Sequence, residues 1–142
     1  PEMVWCNAIK DRHPDHGRGS YLISRACFLS GLVKVETSFD GVKQEPWRPK
    51  VVYHFIQDQY INPDFIVDVS DYWEKKMESI LAYSSQFYNP NSDEPESPIS
   101  GKEFLMTVEG RARDYGRLIG SEYGEGFTVE RSIGINNMFD LV

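Results

Sequence analysis

Two hydrophobic periodicities alternate along this chain, and the first switch between them falls on one tetrapeptide. Met3 to Ile9 is a short apolar run of the kind that forms a buried strand. Ser20 to Val33 carries Leu22, Ile23, Ala26, Cys27, Leu29 and Ser30 at helical spacing. Between them stands His13-Pro14-Asp15-His16. Proline suits the first helical position, because its fixed φ is helical and its missing N–H has no partner to lose there, so Pro14 opens the helix. Strand, polar loop and helix in that order specify an α/β unit, in which ligands gather where strands end. Both imidazoles then lie at the helix mouth.

The rest of the chain keeps the alternation. Val51 to Gln57, β-branched and aromatic, reads as a strand with His54 inside it. Phe65 to Val69 reads as another, after the turn Ile61-Asn62-Pro63-Asp64. Ser70 is placed to cap a helix from Asp71 to about Phe87, with Trp73, Met77, Ile80, Leu81 and Ser84 inward. Ser100 and Glu103 match a capping box, which predicts a helix from Gly101 to about Leu118 with Phe104, Leu105, Val108 and Tyr115 inward. Phe127 to Arg131 is a last short extended stretch, and Asp40 to Pro49 a turn-rich loop. Residues 88–99, with three prolines among polar and acidic side chains, are expected to form an exposed, mobile loop. The tail from Asn136 carries Met138, Phe139 and Leu141, apolar enough to dock.

Composition removes several function classes. A length of 142 residues suits one domain. The net charge is −7 and the basic residues are scattered, which speaks against nucleic acid or an anionic membrane as partner. No apolar run is long enough to span a bilayer. Cys6 and Cys27 read as free thiols of a reducing cytoplasm, and without Cys-x-x-Cys there is no thiolate zinc knuckle. No Gly-x-Ser-x-Gly occurs, and Gly17-Arg18-Gly19 lacks the rest of a phosphate loop. The first residues form no signal peptide, and they run straight into the first strand, as expected of a chain that enters a domain partway.

Read from residues alone, His13 and His16 are either part of a metal cluster or hydrogen-bonded surface groups. Asp15, or Asp11, is the kind of carboxylate that takes the second N–H of a working imidazole. A catalytic zinc needs three protein ligands and an open position, and spacing marks no third ligand. His54 reads as a satisfied sheet histidine. Arg12, Arg48 and Lys50 are either surface charges or binders of a substrate carboxylate or phosphate.

Asp11-Arg12-His13-Pro14-Asp15-His16, followed by a helix, resembles the second motif of the LmbE-like (PIG-L) zinc-dependent N-acetylglucosamine deacetylases. Asn62 to Ser70 resembles that family's strand leading to the next helix. Ala82 to Phe87 and Tyr123 to Phe127 resemble segments of its bacillithiol-pathway branch, which deacetylates N-acetylglucosaminyl-malate. The resemblance implies a Rossmann-like α/β fold and a single Zn2+. His16 matches the metal ligand, and His13 the residue that stabilises the oxyanion and protonates the leaving amine. Asp15 matches the carboxylate that orients His13. Arg12 and Arg48 are assigned to substrate binding, Arg48 because a guanidinium fork suits the two carboxylates of malate. Phe104 falls where some relatives carry a mobile active-site tyrosine. The family's N-terminal His-x-Asp-Asp motif, with two further ligands, does not occur here. The resemblance therefore implies that residues 1–142 are the C-terminal part of a deacetylase domain whose N-terminal βαβ part is missing. The expected partners are that segment, an N-acetylglucosaminyl substrate, and further copies in a trimer or hexamer. The alternative is a non-catalytic interaction module made from a broken deacetylase fold.

Overall fold

Met3–Cys6 forms β1 and Val51–Phe55 forms β4, and the two run parallel with Trp5 against Tyr53 and Cys6 against His54. Parallel neighbours require a crossover. Helix α1, Pro14–Ser30, supplies most of it. The hairpin of β2, Ser38–Phe39, and β3, Val42–Lys43, supplies the rest. That hairpin lies in the stretch read as loop. Asp40 and Gly41 both take positive φ, 48° and 77°, which is the primed turn that Asp-Gly favours between two strands. Strands β5, Phe65–Asp68, and β6, Gly124–Val129, complete a four-stranded mixed sheet in the order β1-β4-β6-β5, with β6 antiparallel to β4.

The computed structural model describes residues 1–141. The chain divides into two compact units, Pro1–Phe65 with the chain from Phe127, and Ile66–Gly126. In the first unit, strand alternation sorts the side chains onto two faces. One face gathers Trp5, Tyr53, Phe55, Phe65 and Phe127, with ring centroids 4.6 to 6.0 Å apart. On the other face Cys6, His54 and Thr128 form a buried cross-strand row. Ser20 of α1, also buried, hydrogen-bonds His54 from above. Leu22 and Ala26, expected inward, are exposed, and the inward stripe of α1 runs instead through Ser20, Ile23, Ser24 and Cys27.

The second unit holds α2, Trp73–Leu81, and α3, Lys102–Ile119. Its core is Trp73, Ala112 and Tyr123, with Val69, Met77 and Val108 packed around them. Trp73 stacks on Tyr123 at 4.4 Å, and the Arg113 guanidinium lies 4.5 Å from the Tyr123 ring centre. Gly116 and Gly124 let α3 meet β6. A methyl on Gly124 would lie 2.8 Å from Gly116 N, and one on Gly116 would lie 2.8 Å from the Glu122 backbone.

Helix α2 ends earlier than its sequence predicts. Ser70 spends its hydroxyl on Asp68 at 2.6 Å within a short 3-10 turn, and residues 82–87 fold into turns. The capping box at α3 does not form: Gly101 is the N-cap, and the Ser100 hydroxyl binds the backbone of Ser97. Residues 90–98 are exposed, as expected. The tail does not dock within the described residues, since Met138 and Phe139 are 74% and 79% exposed. Among the described residues no helix is long and apolar enough to cross a membrane.

Candidate functional site

The loop after β1 and the start of α1 meet the loop after β4, all within the first unit. Helix α1 begins at Pro14, with extended His13 as its N-cap. A capping side chain normally offers an oxygen. Here the imidazole does the work, and His13 Nδ1 accepts the backbone N–H of Asp15 at 3.3 Å. In the neutral ring the proton then resides on Nε2. The Asp15 carboxylate stands 3.9 Å from that same Nδ1 and 3.7 Å from Arg18, beyond hydrogen-bond distance of both. So the residue expected to orient His13 through its carboxylate does so through its backbone.

Asp11 is the carboxylate at the centre of the site. Its side chain is fully buried, and it hydrogen-bonds Nδ1 of His16. It also accepts the backbone N–H groups of Asp58 at 3.1 Å and Gln59 at 2.6 Å. Burial alone would raise its pKa. The N–H of Gln59, the His16 ring and the N–H of Arg12 outweigh that, and hold the carboxyl below its ordinary value. An ionised carboxylate therefore fixes one nitrogen of His16 and leaves Nε2 as the available one. Metal-binding histidines are held in just this way.

His13 and His16 lie side by side, with ring centroids 5.4 Å apart. Arg12 turns its Nε to Asp58 at 2.5 Å, so part of its guanidinium is already engaged. Arg48 is not brought to the histidines. Its guanidinium donates to the carbonyl of Phe28 at 2.9 Å and covers the Phe28 ring at 4.5 Å. At 1.5 Å per residue, Phe28 lies about 18 Å along α1 from His16. Phe104 belongs to the second unit, where it stacks on Phe87. The loop before it lines an open cavity of about 710 Å3 with Tyr88, Glu94, Glu96 and Lys102.

Among the described residues, no three His, Cys, Asp or Glu side chains are grouped to hold a metal. The donor set fits a zinc ion in part: one imidazole ligand, backed by its carboxylate, without the two further ligands an open catalytic site needs. Cys6 offers no thiolate, because burial, with Glu130 and Cys27 nearby, pushes its pKa up to about 11.

Asp58 and Gln59 carry no sequence motif. Their one signal is their place just past the end of a predicted strand.

No family model matches the chain. It is similar in fold to the conserved protein TT1542 of Thermus thermophilus, with a TM-score of 0.78 and 25% identity over 97% of this chain and 56% of that one. It is similar also to the N,N'-diacetylchitobiose deacetylase of Pyrococcus horikoshii, with a TM-score of 0.66 and 25% identity over 100% of this chain and 51% of that one. GalB, the 4-carboxy-2-hydroxymuconate hydratase of Pseudomonas putida, shares the fold at a TM-score of 0.64 and 19% identity, over 97% of this chain and 55% of its own. The chain thus spans about half the length of these structures. Its mixed α/β fold is that of a known deacetylase over the aligned part.

Proposed function

We propose that this chain carries one half of the active site of a zinc-dependent hydrolase that removes the acetyl group from an N-acetylglucosaminyl conjugate. The observation that carries the reading is the buried Asp11 carboxylate paired with His16, beside His13 at the mouth of α1. The likeness to the Pyrococcus deacetylase points the same way. In this reading His16 holds the metal through Nε2, and Asp11 fixes the ring. When bound, zinc supplies a water of lowered pKa and a Lewis acid for the amide carbonyl. His13 donates its Nε2–H to the carbonyl oxygen as negative charge builds there; the proton it passes to the leaving amine is one it first takes up, as imidazolium, from the attacking water by way of the general base of the missing His-x-Asp-Asp segment. Asp15 keeps that tautomer through its backbone N–H. Arg12, which directly precedes the motif and is steadied by Asp58, is the cation we assign to an anionic group of the substrate.

The substrate we favour is N-acetylglucosaminyl-malate, from the resemblance of the second-unit segments to the bacillithiol branch. The remaining ligands come from a segment with the His-x-Asp-Asp motif. Arg48, far along α1, would meet a malate carboxylate only across an interface between copies of a trimer or hexamer.

The test is a deacetylation assay, with zinc, of the natural protein that carries this chain. His16→Ala should abolish zinc binding and turnover. His13→Ala should keep zinc and lower kcat about a hundredfold or more. Residues 1–142 alone should bind zinc weakly. Turnover indifferent to both substitutions would sink the reading. A natural protein without deacetylase activity would leave the interaction module in its place.

A further inference from the structure

His54 is 2% exposed and lies in the middle of the sheet. Its Nδ1 is 2.8 Å from Ser20 Oγ, 3.1 Å from the carbonyl oxygen of Asn7 and 3.2 Å from Cys6 Sγ. Its Nε2 is 3.1 Å from Glu130 Oε1. Both ring nitrogens are engaged, so the ring cannot turn without breaking contacts on one side. Ser20, His54 and Glu130 are the residue types of an acyl-transfer triad, but a hydroxyl and an imidazole this deeply buried meet no substrate.

The two elements gripped at Nδ1 are more telling. Asn7 opens the loop that leads to Asp11, Arg12 and His13. Ser20 lies one helical turn beyond His16 on α1. Asp11, Arg12, His13, Asp15 and His16 all lie between Asn7 and Ser20, and both ends of that segment close on one imidazole. The middle of the segment is tied to the loop that follows the same strand. Ala8 N–H donates to Gln57 Oε1 at 2.9 Å, and Asp11 accepts from Asp58 and Gln59.

We propose that His54 is a positioning residue of the His13–His16 site. Through Nδ1 it sets the distance between the loop and the first turns of α1, and so the placement of His13 and His16. This rests on the deacetylase reading only for what the site does, not for how it is held.

The test uses the natural protein that carries this chain, with its histidine rings observed by proton–nitrogen NMR and thermal unfolding alongside. An asparagine amide nitrogen sits near the Nδ1 position of histidine, and a glutamine amide nitrogen near Nε2. His54→Asn therefore keeps the grip on Asn7 and Ser20, whereas His54→Gln keeps only Glu130. His54→Gln should lose the protected Nδ1–H signal that His16 owes to Asp11 and shift the His13 ring, while His54→Asn retains both. Ser20→Ala, which leaves the ring and its packing intact, should shift the His16 signals in the same direction as His54→Gln. If Asn and Gln disturb the two histidines equally, or if Ser20→Ala leaves them untouched, His54 is packing alone and the proposal fails. Loss of turnover dependence on His16 in the deacetylation assay would overturn the functional reading without touching this one.

Discussion

The loop–helix junction of the first unit and the helix–strand junction of the second are both tight, for opposite reasons. Around Asp11 and His54, polar atoms face polar atoms, and position is set by hydrogen bonds of defined length and direction. Around Gly116 and Gly124, backbone meets backbone because no side chain stands between. A glycine contact is unforgiving of bulk but carries no chemistry. A buried carboxylate is costly to place, but it fixes a tautomer. The unit that holds the candidate chemistry uses the costlier kind of contact.

The comparison can be broken most severely at Gly124. Gly124→Ala drives a methyl to 2.7 Å from Ile66 and 2.8 Å from the backbone of Tyr115 and Gly116. It should destabilise by about 3 kcal/mol in urea unfolding, and the histidine signals of the first unit should persist.

Asp11→Asn comes next. It loses a charge-assisted pair with His16 and weakens two bonds to backbone N–H groups, and should cost about 2 kcal/mol. Because the carboxyl of Asp11 is held below its ordinary value in the folded protein, its contribution is present above the carboxylate range and is lost as pH falls through the folded pKa. The difference in Tm between the wild type and Asp11→Asn should thus be full at neutral pH and close below about pH 4. A difference that stays constant to about pH 3 or below would show that the fold does not favour the ionised form of Asp11.

Arg113→Leu sharpens the contrast from the other side. It removes a guanidinium that covers Tyr123 and donates to its hydroxyl at 2.5 Å. A small loss of stability is expected, below that of Asp11→Asn. Thr128→Val should change stability least, by about 0 to 1 kcal/mol, and in the stabilising direction. The Thr128 hydroxyl is buried with no hydrogen-bond partner among the described residues, and valine has the same shape without it. A clear loss of stability would mean that this hydroxyl has a partner in solution.

Much of the fold was legible because periodicity reports which face of an element is buried. The strands over Val51 to Phe55 and Phe65 to Asp68, and the helix that ends at Ile119, lie close to where alternation and helical spacing put them. Local polar signals were the less reliable guide. Ser70 and Ser100 are good caps by type, but each found a nearer partner, in Asp68 and in the Ser97 backbone. The Asp40-Gly41 hairpin hid in a loop because its strands are only two residues long, too short for alternation to register. In the site, Pro14 and the two histidines announced a helix mouth. The sequence offered both Asp11 and Asp15 as partners to the imidazoles and could not choose between them.

By itself, the amino-acid sequence determined the alternation of strand and helix, the helix start at Pro14, and the side-by-side imidazoles that a helical turn imposes. Only the tertiary structure decided that Asp11 backs His16, that a backbone N–H rather than a carboxylate reaches His13, that Arg48 packs on Phe28, itself about 18 Å along α1 from His16, and that His54 ties Asn7 to Ser20. The physical reason is range. Propensity and periodicity act over a few residues, whereas the partners of a buried charge are set by which distant loops the sheet brings together, and Asp11 meets Asp58 and Gln59 only because β1 and β4 lie side by side.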